Sequence, residues 1–215
     1  AATTNFVQGD ITVTNGSITN FAGSGTTYTA TFTPTTAGAT IITVAAEIYT
    51  DTFGNSNIAA SEFNWTYNNT QPTMTITSSV DDGDTSNHAS ISLTFTSSVA
   101  TTNFVQGDIT VTNGSISSFD GSGTNYSATF TPSAAGATTI KVLGGTFTDL
   151  SDNSNNASNV FNWTYDNEKP NMTISGLNIN DGDTSNDASI NLIFTSTKFT
   201  SNFDASHITV TNGSI

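Results

Sequence analysis

The chain of 215 residues carries 17 acidic residues against 3 lysines and no arginine, so its formal net charge is −14. Such a charge disfavours binding to nucleic acids and to anionic lipids, both of which need a basic surface. Cysteine is absent, which excludes disulfide bonds, thiolate catalysis and zinc–sulfur sites. No apolar run of about 20 residues is present, so we expect no membrane insertion, and we expect any secretion signal or anchor to lie outside this segment.

One nine-residue motif recurs along the chain at an almost constant spacing. DITVTNGSI occupies Asp10–Ile18 and again Asp108–Ile116, and HITVTNGSI occupies His207–Ile215. The copies are 98 and 99 positions apart. A period near 100 residues, carried by Thr-rich alternating segments, predicts a tandem array of β-sandwich modules.

The central repeat contains a full series of predicted strands. In Ala89–Thr96 the apolar residues alternate with Ser and Thr, which is typical of a half-buried strand. No segment has an apolar stripe at the 3.6-residue period of a helix. We therefore predict an all-β fold of immunoglobulin-like sandwiches of about 98 residues each, with essentially no helix. In chain order the predicted strands are Thr73–Thr77, Ala89–Thr96, Asp108–Thr112, a minor one at Ile116–Phe119, one around Tyr126–Phe130, one around Ile140–Val142, and Asn159–Tyr165.

The segment FNWTY closes two of the repeats and places three aromatic residues on one face of a strand. We predict that this face lies in the core, because the opposite face is polar. The aromatic residues are Phe63, Trp65 and Tyr67 in the first repeat and Phe161, Trp163 and Tyr165 in the second.

The repeats divide the chain into three predicted modules. Residues 71–169 form a complete module, residues 1–70 a partial one that lacks the first two strands, and residues 170–215 a partial one with the first three strands only. Either the sequence is a window of a longer chain, or the two partial modules complete one another between neighbouring molecules. In the second case, strand exchange would produce a self-assembling filament.

The motifs DITVTNG and Y-x-A-T-F-T-P, followed by FNWTYDN, resemble the bacterial immunoglobulin-like (Big-type) repeats of very large surface adhesins. This resemblance implies an Ig-like sandwich, an extracellular location on a cell or virion surface, and a long tandem array without enzymatic activity. In related adhesins, calcium bound by Asp-rich loops near the module junctions stiffens the array. The low Lys and Arg content also favours a surface or secreted setting.

Acidic clusters recur in three predicted loops and are candidate calcium ligands, because calcium prefers six to eight oxygen ligands from carboxylates and carbonyls. The runs at Asp51 and Asp149 resemble the DxxGN loop of calcium-binding adhesin modules. The alternative is that Asp, Asn and Gly simply make good turns. The candidates are Asp81, Asp82, Asp84, Asp181 and Asp183 in the DDGD-type turn, Asp51, Asp149 and Asp152 in the Asn-rich loop, and Asp166 and Glu168 in the linker.

Other residue patterns give weaker indications of chemistry. His88 and His207 have no recurring nucleophile or carboxylate beside them, and the paired carboxylates lie in turns that repeat with the module, so we predict no catalytic site. Asn64 and Asn162 begin Asn-x-Thr motifs on the outward face of a strand and are candidate N-glycosylation sites. A carbohydrate-binding module is a third hypothesis, and Phe53, Phe119 and Phe147 are the aromatic residues near predicted loops.

Together these features predict a non-catalytic structural segment of a large extracellular adhesin or surface fibre, acting as a spacer that calcium can rigidify. The predicted partners are neighbouring Ig-like repeats of the same or adjacent chains. A domain outside this segment would contact a host-cell or surface ligand.

Overall fold

The computed structural model describes all residues from 1 to 215, which fall into two compact units, residues 1–165 and residues 166–215. The fold is all-β, as the alternating sequence predicts, and its only helices are three 3-10 turns at Gln8–Asp10, Gln106–Asp108 and Ala205–His207. None of these helices is long and apolar enough to cross a membrane.

Fourteen strands follow one another along the chain. In the first repeat they are β1 (Ile11–Val13), β2 (Gly16–Ser24), β3 (Thr27–Pro34), β4 (Gly38–Val44) and β5 (Phe63–Tyr67). The second repeat contains β6 (Met74–Ser78), β7 (Thr85–Ser86), β8 (Ile91–Thr101), β9 (Ile109–Thr112), β10 (Gly114–Pro132), β11 (Gly136–Val142) and β12 (Phe161–Tyr165). The remaining two are β13 (Met172–Gly176) and β14 (Leu192–Ser196).

The second repeat forms two sheets around one core. One sheet has the strand order β10-β8-β6, and the other has the order β7-β12-β11-β9, in which β7 runs parallel to β12. Strand β8 alternates buried and exposed residues along Ile91–Ser97, because one face of its sheet is covered and the other is not. The fully buried side chains at the centre of the core include Phe95, Phe130, Ile140 and Trp163.

Strand β10 is longer than the sequence suggests. The minor strand predicted at Ile116–Phe119 and the strand around Tyr126–Phe130 belong to one continuous element. Gly114 begins it where a side chain would overlap the ring of Phe130 and the carbonyl oxygen of Thr131. This contact explains why glycine follows Asn in the repeated motif.

The first repeat contains the sheet β1-β4-β5 and the separate pair β2-β3. Phe63 and Trp65 on β5 are exposed by 64% and 44%, whereas the equivalent Phe161 and Trp163 are exposed by 2% and 1%. The prediction that the first aromatic set is core is therefore wrong for these two residues. The reason is that residues 1–67 contain no counterparts of β6, β7 and β8, which cover this face in the second repeat.

The second unit contains one antiparallel pair, in which Met172 on β13 lies opposite Ser196 on β14. Residues 208–211, predicted as the third strand of this repeat, form no strand. Their counterpart β9 is held by hydrogen bonds to β11, and residues 166–215 contain no strand equivalent to β11. The proposed boundaries at residues 70 and 169 stay a prediction.

Candidate functional site

The loop that follows Thr148 is closed by the carboxylate of Asp149. Its Oδ1 accepts hydrogen bonds from the backbone N–H groups of Ser151 at 2.8 Å and Asn153 at 2.9 Å. Its Oδ2 accepts from the side-chain amide of Asn153 at 3.0 Å. This is the Asx-type turn that Asp forms readily when its side chain can reach backbone donors ahead of it, and it gives the loop a fixed shape.

The linker between the first two repeats lies against this loop. Asn68, directly after β5, donates its side-chain amide to Oδ2 of Asp149 at 3.2 Å and to Oγ of Ser151 at 3.3 Å. In return, the side-chain amide of Asn153 donates to the carbonyl oxygen of Asn68 at 3.2 Å. The end of one repeat is thus hydrogen-bonded to a loop of the next.

The far end of the linker is also held. Pro72 is buried, and its carbonyl oxygen accepts a hydrogen bond from the backbone N–H of Asn156 at 2.8 Å. Only residues 68–73 separate β5 from β6, so both ends of this short segment contact the second repeat. We call residues 68–72 together with Asp149–Asn153 the docked linker.

Hydrogen bonds in the docked linker stabilise the ionised form of Asp149. The side-chain amide of Asn153 is the largest cause that lowers the pKa of this carboxyl, and the backbone N–H groups of Asn153 and Ser151 and the amide of Asn68 lower it further. Burial acts in the opposite direction but does not outweigh these donors.

The equivalent loop of the first repeat has the same internal structure. Oδ1 of Asp51 accepts from the backbone N–H groups of Phe53 and Asn55, both at 2.9 Å, and Oδ2 accepts from the side chain of Asn55 at 3.0 Å. The amide of Asn55 is likewise the largest cause that lowers the pKa of Asp51. The fourth loop position is Gly54 here, with φ +86°, and Asp152 in the second repeat, with φ +63°.

The DDGD turn, residues 81–84, is hydrogen-bonded to strand β12 of the second repeat. Oδ1 of Asp82 accepts hydrogen bonds from the backbone N–H of Asn162 at 2.6 Å and from its side chain at 3.2 Å. Asp84 closes the turn by accepting from the backbone N–H of Asp81 at 3.2 Å. In the second unit, Asp183 closes the equivalent turn through the N–H of Asn180 at 2.9 Å, and Asp181 is exposed.

The acidic residues of the second linker contact a lysine. Nζ of Lys198 lies 2.6 Å and 2.8 Å from the two carboxylate oxygens of Asp166 and 3.6 Å from Oε2 of Glu168. The Lys198 contact is the largest cause that lowers the pKa of Asp166 and, reciprocally, raises that of Lys198. This ion pair is partly exposed, so it is sensitive to salt.

No three acidic or histidine side chains come together in a group that could hold a metal ion. The calcium prediction is not tested by this observation, since backbone carbonyls and side-chain amides also bind calcium. Six of the predicted ligands accept hydrogen bonds from their own loop or from a neighbouring strand instead: Asp51, Asp82, Asp84, Asp149, Asp166 and Asp183. His88 and His207 are both exposed, and Nδ1 of His207 lies 3.1 Å from Oδ1 of Asp204.

The candidate glycosylation sites and the aromatic residues near loops differ in how far they are buried. Asn64 and Asn162 are exposed, as the strand alternation predicts, although the amide of Asn162 is engaged by Asp82. Whether either carries a glycan stays a prediction. Phe147 is buried and Phe119 is half-buried against the core, so of the three aromatic residues near loops only Phe53 is exposed. The carbohydrate-binding hypothesis therefore depends on Phe53 alone.

Sequence reasoning identified Asp149, and it assigned Asn68 and Pro72 to a short linker, but it missed the contacts of these two residues with the second repeat. A pattern of turn residues indicates where a loop closes on itself, and it gives no sign of a partner 81 positions away. One signal in the sequence could have indicated this contact. Asn68 directly follows the last strand of the first repeat, and the equivalent position of the second repeat carries Asp166.

Two consecutive segments of the chain, residues 1–67 and residues 68–165, match the family described as bacterial Ig-like domain. The chain belongs to this family. The match confirms the resemblance drawn from the repeated motifs, and it agrees with the all-β sheets described above. It also supports the interpretation of these bacterial Ig-like domains as structural repeat modules. Comparison with curated proteins and with solved structures gave no match.

Proposed function

We propose that these bacterial Ig-like domains are a non-catalytic spacer in a large extracellular protein, such as an adhesin stalk or a surface fibre. The observation that carries this proposal is the docked linker. A linker that is hydrogen-bonded at both ends restricts the angle between the repeats it joins, and an array with restricted angles holds its ends apart better than a flexible chain does.

The physical argument compares a tethered linker with a free one. Six unstructured residues would allow many orientations of the flanking repeats, and each ordered residue loses conformational freedom at a cost of roughly 1–2 kcal/mol. Three hydrogen bonds at Asn68 and one at Pro72 offset part of this cost. Burial of the Pro72 ring offsets a further part of this entropic cost.

The proposal can be tested by measuring a distance between the repeats. The chain has no cysteine, so spin labels can be placed on single cysteines introduced at Thr29 and Ser127, which are exposed and occupy equivalent positions in the two repeats. We expect a narrow distance distribution that Asn68→Ala broadens. Asn69→Ala is the control, because that neighbouring side chain makes no hydrogen bond. A broad distribution in the unsubstituted chain would refute the spacer mechanism.

Calcium enters as a separate part of the hypothesis. Because the carboxylate of Asp149 already accepts four hydrogen bonds, we expect the linker to stay docked when calcium is removed. The Thr29–Ser127 distance should then be the same in calcium and in chelator. A distance distribution that broadens on chelation would support calcium ligation by the acidic loops. It would also show that the hydrogen bonds alone are too weak to hold the linker in place.

The extracellular location is supported by composition. Only 9% of the residues are charged, 3 of them are Lys, and exposed faces are built from Thr, Ser and Asn. Antibodies against residues 71–169 should label intact source cells or particles without permeabilisation. Labelling only after lysis would place the protein inside and contradict this part of the proposal.

A further inference from the structure

One strand pair of the second repeat is parallel, and it joins the start of the repeat to its end. Residues 72–86, the entry segment, begin the repeat, and residues 156–165, the exit segment, end it. Strand β7 of the entry segment lies beside β12 of the exit segment, with Thr85 opposite Thr164. Every other strand pair of the chain is antiparallel. In a parallel pair, the beginning of one strand and the end of the other lie at opposite ends of the contact.

The parallel arrangement extends beyond these two strands. The carbonyl oxygen of Pro72 accepts a hydrogen bond from the backbone N–H of Asn156 at 2.8 Å. Further along both segments, the side chain of Asn159 accepts from the backbone N–H of Ile76 at 2.8 Å and donates to its carbonyl oxygen at 3.1 Å. The contacts advance together on both segments, from Pro72 and Asn156 at one end to the parallel strands at the other. The entry and exit segments therefore run side by side in the same direction.

The DDGD turn contributes four hydrogen bonds to this contact. Oδ1 of Asp82 accepts from the backbone N–H of Asn162 at 2.6 Å and from its side chain at 3.2 Å. The backbone N–H of Gly83 donates to the carbonyl oxygen of Asn162 at 2.8 Å. The carbonyl oxygen of Asp84 accepts from the backbone N–H of Thr164 at 2.8 Å. Three consecutive residues of the turn are thus bonded to the exit segment, and two of these bonds end on a carboxylate, which makes them stronger than bonds between neutral groups.

Apolar side chains hold the entry segment as well. Met74 and Ile76 on β6 are each exposed by 2%, so sliding this segment out of place would bring both side chains into water. Strand β6 also pairs with β8 along all of Met74–Ser78. It is therefore held on both edges, by β8 on one side and by the side chain of Asn159 on the other.

We propose that the entry and exit segments form a mechanical clamp that resists unfolding of the second repeat when the chain is pulled. Tension enters this repeat at residue 72 and leaves it at residue 165, which lie at opposite ends of two parallel segments. The force slides one segment along the other, so the hydrogen bonds between them must break together. Two segments pulled from the same end would instead separate one bond at a time. Resistance to tension goes beyond the spacer role, which requires only that the angle between repeats is restricted.

Two variants with matched controls measure the contribution of named hydrogen bonds to the clamp. Asp82→Ala removes both bonds that its carboxylate accepts from Asn162. Under constant force along the segments, it should shorten the lifetime of the folded repeat about tenfold. Asp81→Ala removes the same charge from the same turn, and its exposed carboxylate accepts no hydrogen bond, so the lifetime should stay unchanged. Asn159→Ala should also shorten the lifetime, and its control is Asn156→Ala, whose exposed side chain makes no hydrogen bond.

The direction of pulling distinguishes a clamp from general stability and needs no substitution among the clamp contacts. The chain has no cysteine, so the full chain can be held by DNA handles on two introduced cysteines at exposed positions. Asn69→Cys with Asn167→Cys places the handles before the entry segment and after the exit segment. Asn69→Cys with Ala157→Cys places both handles at the same end of the two segments. At one loading rate, the unfolding force should be several-fold higher for the first pair.

Two results would overturn the proposal. The first is an equal unfolding force for the two handle positions, which would show that the parallel segments do not resist sliding. The second is an equal lifetime of Asp82→Ala and Asp81→Ala under force, which would show that the turn does not fasten the exit segment. Both measurements are independent of the spacer role, because the entry and exit segments belong to a single repeat.

Discussion

The side-chain amide of Asn68 lies 3.2 Å from Oδ2 of Asp149, a residue 81 positions further along the chain. This contact joins the last strand of one repeat to a loop of the next. The loop also has hydrogen bonds of its own, because the carboxylate of Asp149 accepts from Ser151 and Asn153. The shape of the loop therefore does not depend on the bond to Asn68 alone.

Replacing Asn68 by Ala should make the linker more accessible to proteases. Three side-chain hydrogen bonds disappear, two to the Asp149 loop and one from the backbone N–H of Thr70. The backbone between residues 68 and 72 can then open more often. The rate of cleavage by a low-specificity protease within these residues should increase several-fold, while far-ultraviolet circular dichroism should stay unchanged. Asn69→Ala is the control and should be cleaved at the original rate. Equal cleavage of both variants would mean that Asn68 does not hold the linker.

Exchanging the residues at the fourth loop position, Gly54 and Asp152, should change the stabilities of the two repeats in opposite directions. Asp152 has φ +63°, a conformation that costs a residue with a side chain roughly 1–2 kcal/mol compared with glycine. Asp152→Gly should therefore stabilise the second repeat by about 1 kcal/mol. Gly54→Asp, where φ is +86°, should destabilise the first repeat by a similar amount.

Variants with a single tryptophan allow each repeat to be followed separately in denaturant. Trp163→Phe leaves Trp65 as the reporter of the first repeat, and Trp65→Phe leaves Trp163 as the reporter of the second. Each exchange should shift only the transition of its own repeat. A loss of stability on Asp152→Gly would show that the Asp152 side chain makes a contact worth more than the backbone strain.

The second repeat should lose stability in acid through Asp149. Because the pKa of this carboxyl is lowered from its ordinary value of 3.8 in the folded chain, ionisation favours folding above that value. The contribution is lost as the pH falls through the lowered pKa. Asp149→Asn removes the ionisation, so its thermal midpoint, followed by Trp163, should depend less on pH below about 4.

The matched control for acid sensitivity is Asp120→Asn, since the carboxyl of Asp120 is exposed and accepts no hydrogen bond. Its profile should follow that of the unsubstituted chain. If the Asp149→Asn variant keeps the full acid dependence, the loop hydrogen bonds do not stabilise the ionised carboxyl.

The sandwich could be predicted from the sequence because its strands alternate with period 2 and its motif repeats. Ile91, Leu93 and Phe95 were placed on one face by alternation alone, and all three are buried. Alternation could not show that Phe63 and Trp65 would be exposed, since it identifies the face of a strand and not whether another strand covers it. The docked linker was missed for a related reason. Its contacts depend on the path of the chain between repeats, which no local pattern encodes.

Thr138 offers a test of buried polar pairing at the centre of the second repeat. Its side chain is 1% exposed, and its Oγ1 donates to the carbonyl oxygen of Trp163 at 2.8 Å. Thr138→Val keeps the shape but removes the donor, which leaves the carbonyl without this partner and should cost roughly 1–3 kcal/mol of unfolding free energy. Urea denaturation followed by Trp163 measures this cost. Thr110→Val, on an exposed position of β9, should change stability by less than about 0.5 kcal/mol. Equal effects of the two substitutions would mean that burial of Thr138 is not accompanied by a hydrogen bond that matters for folding.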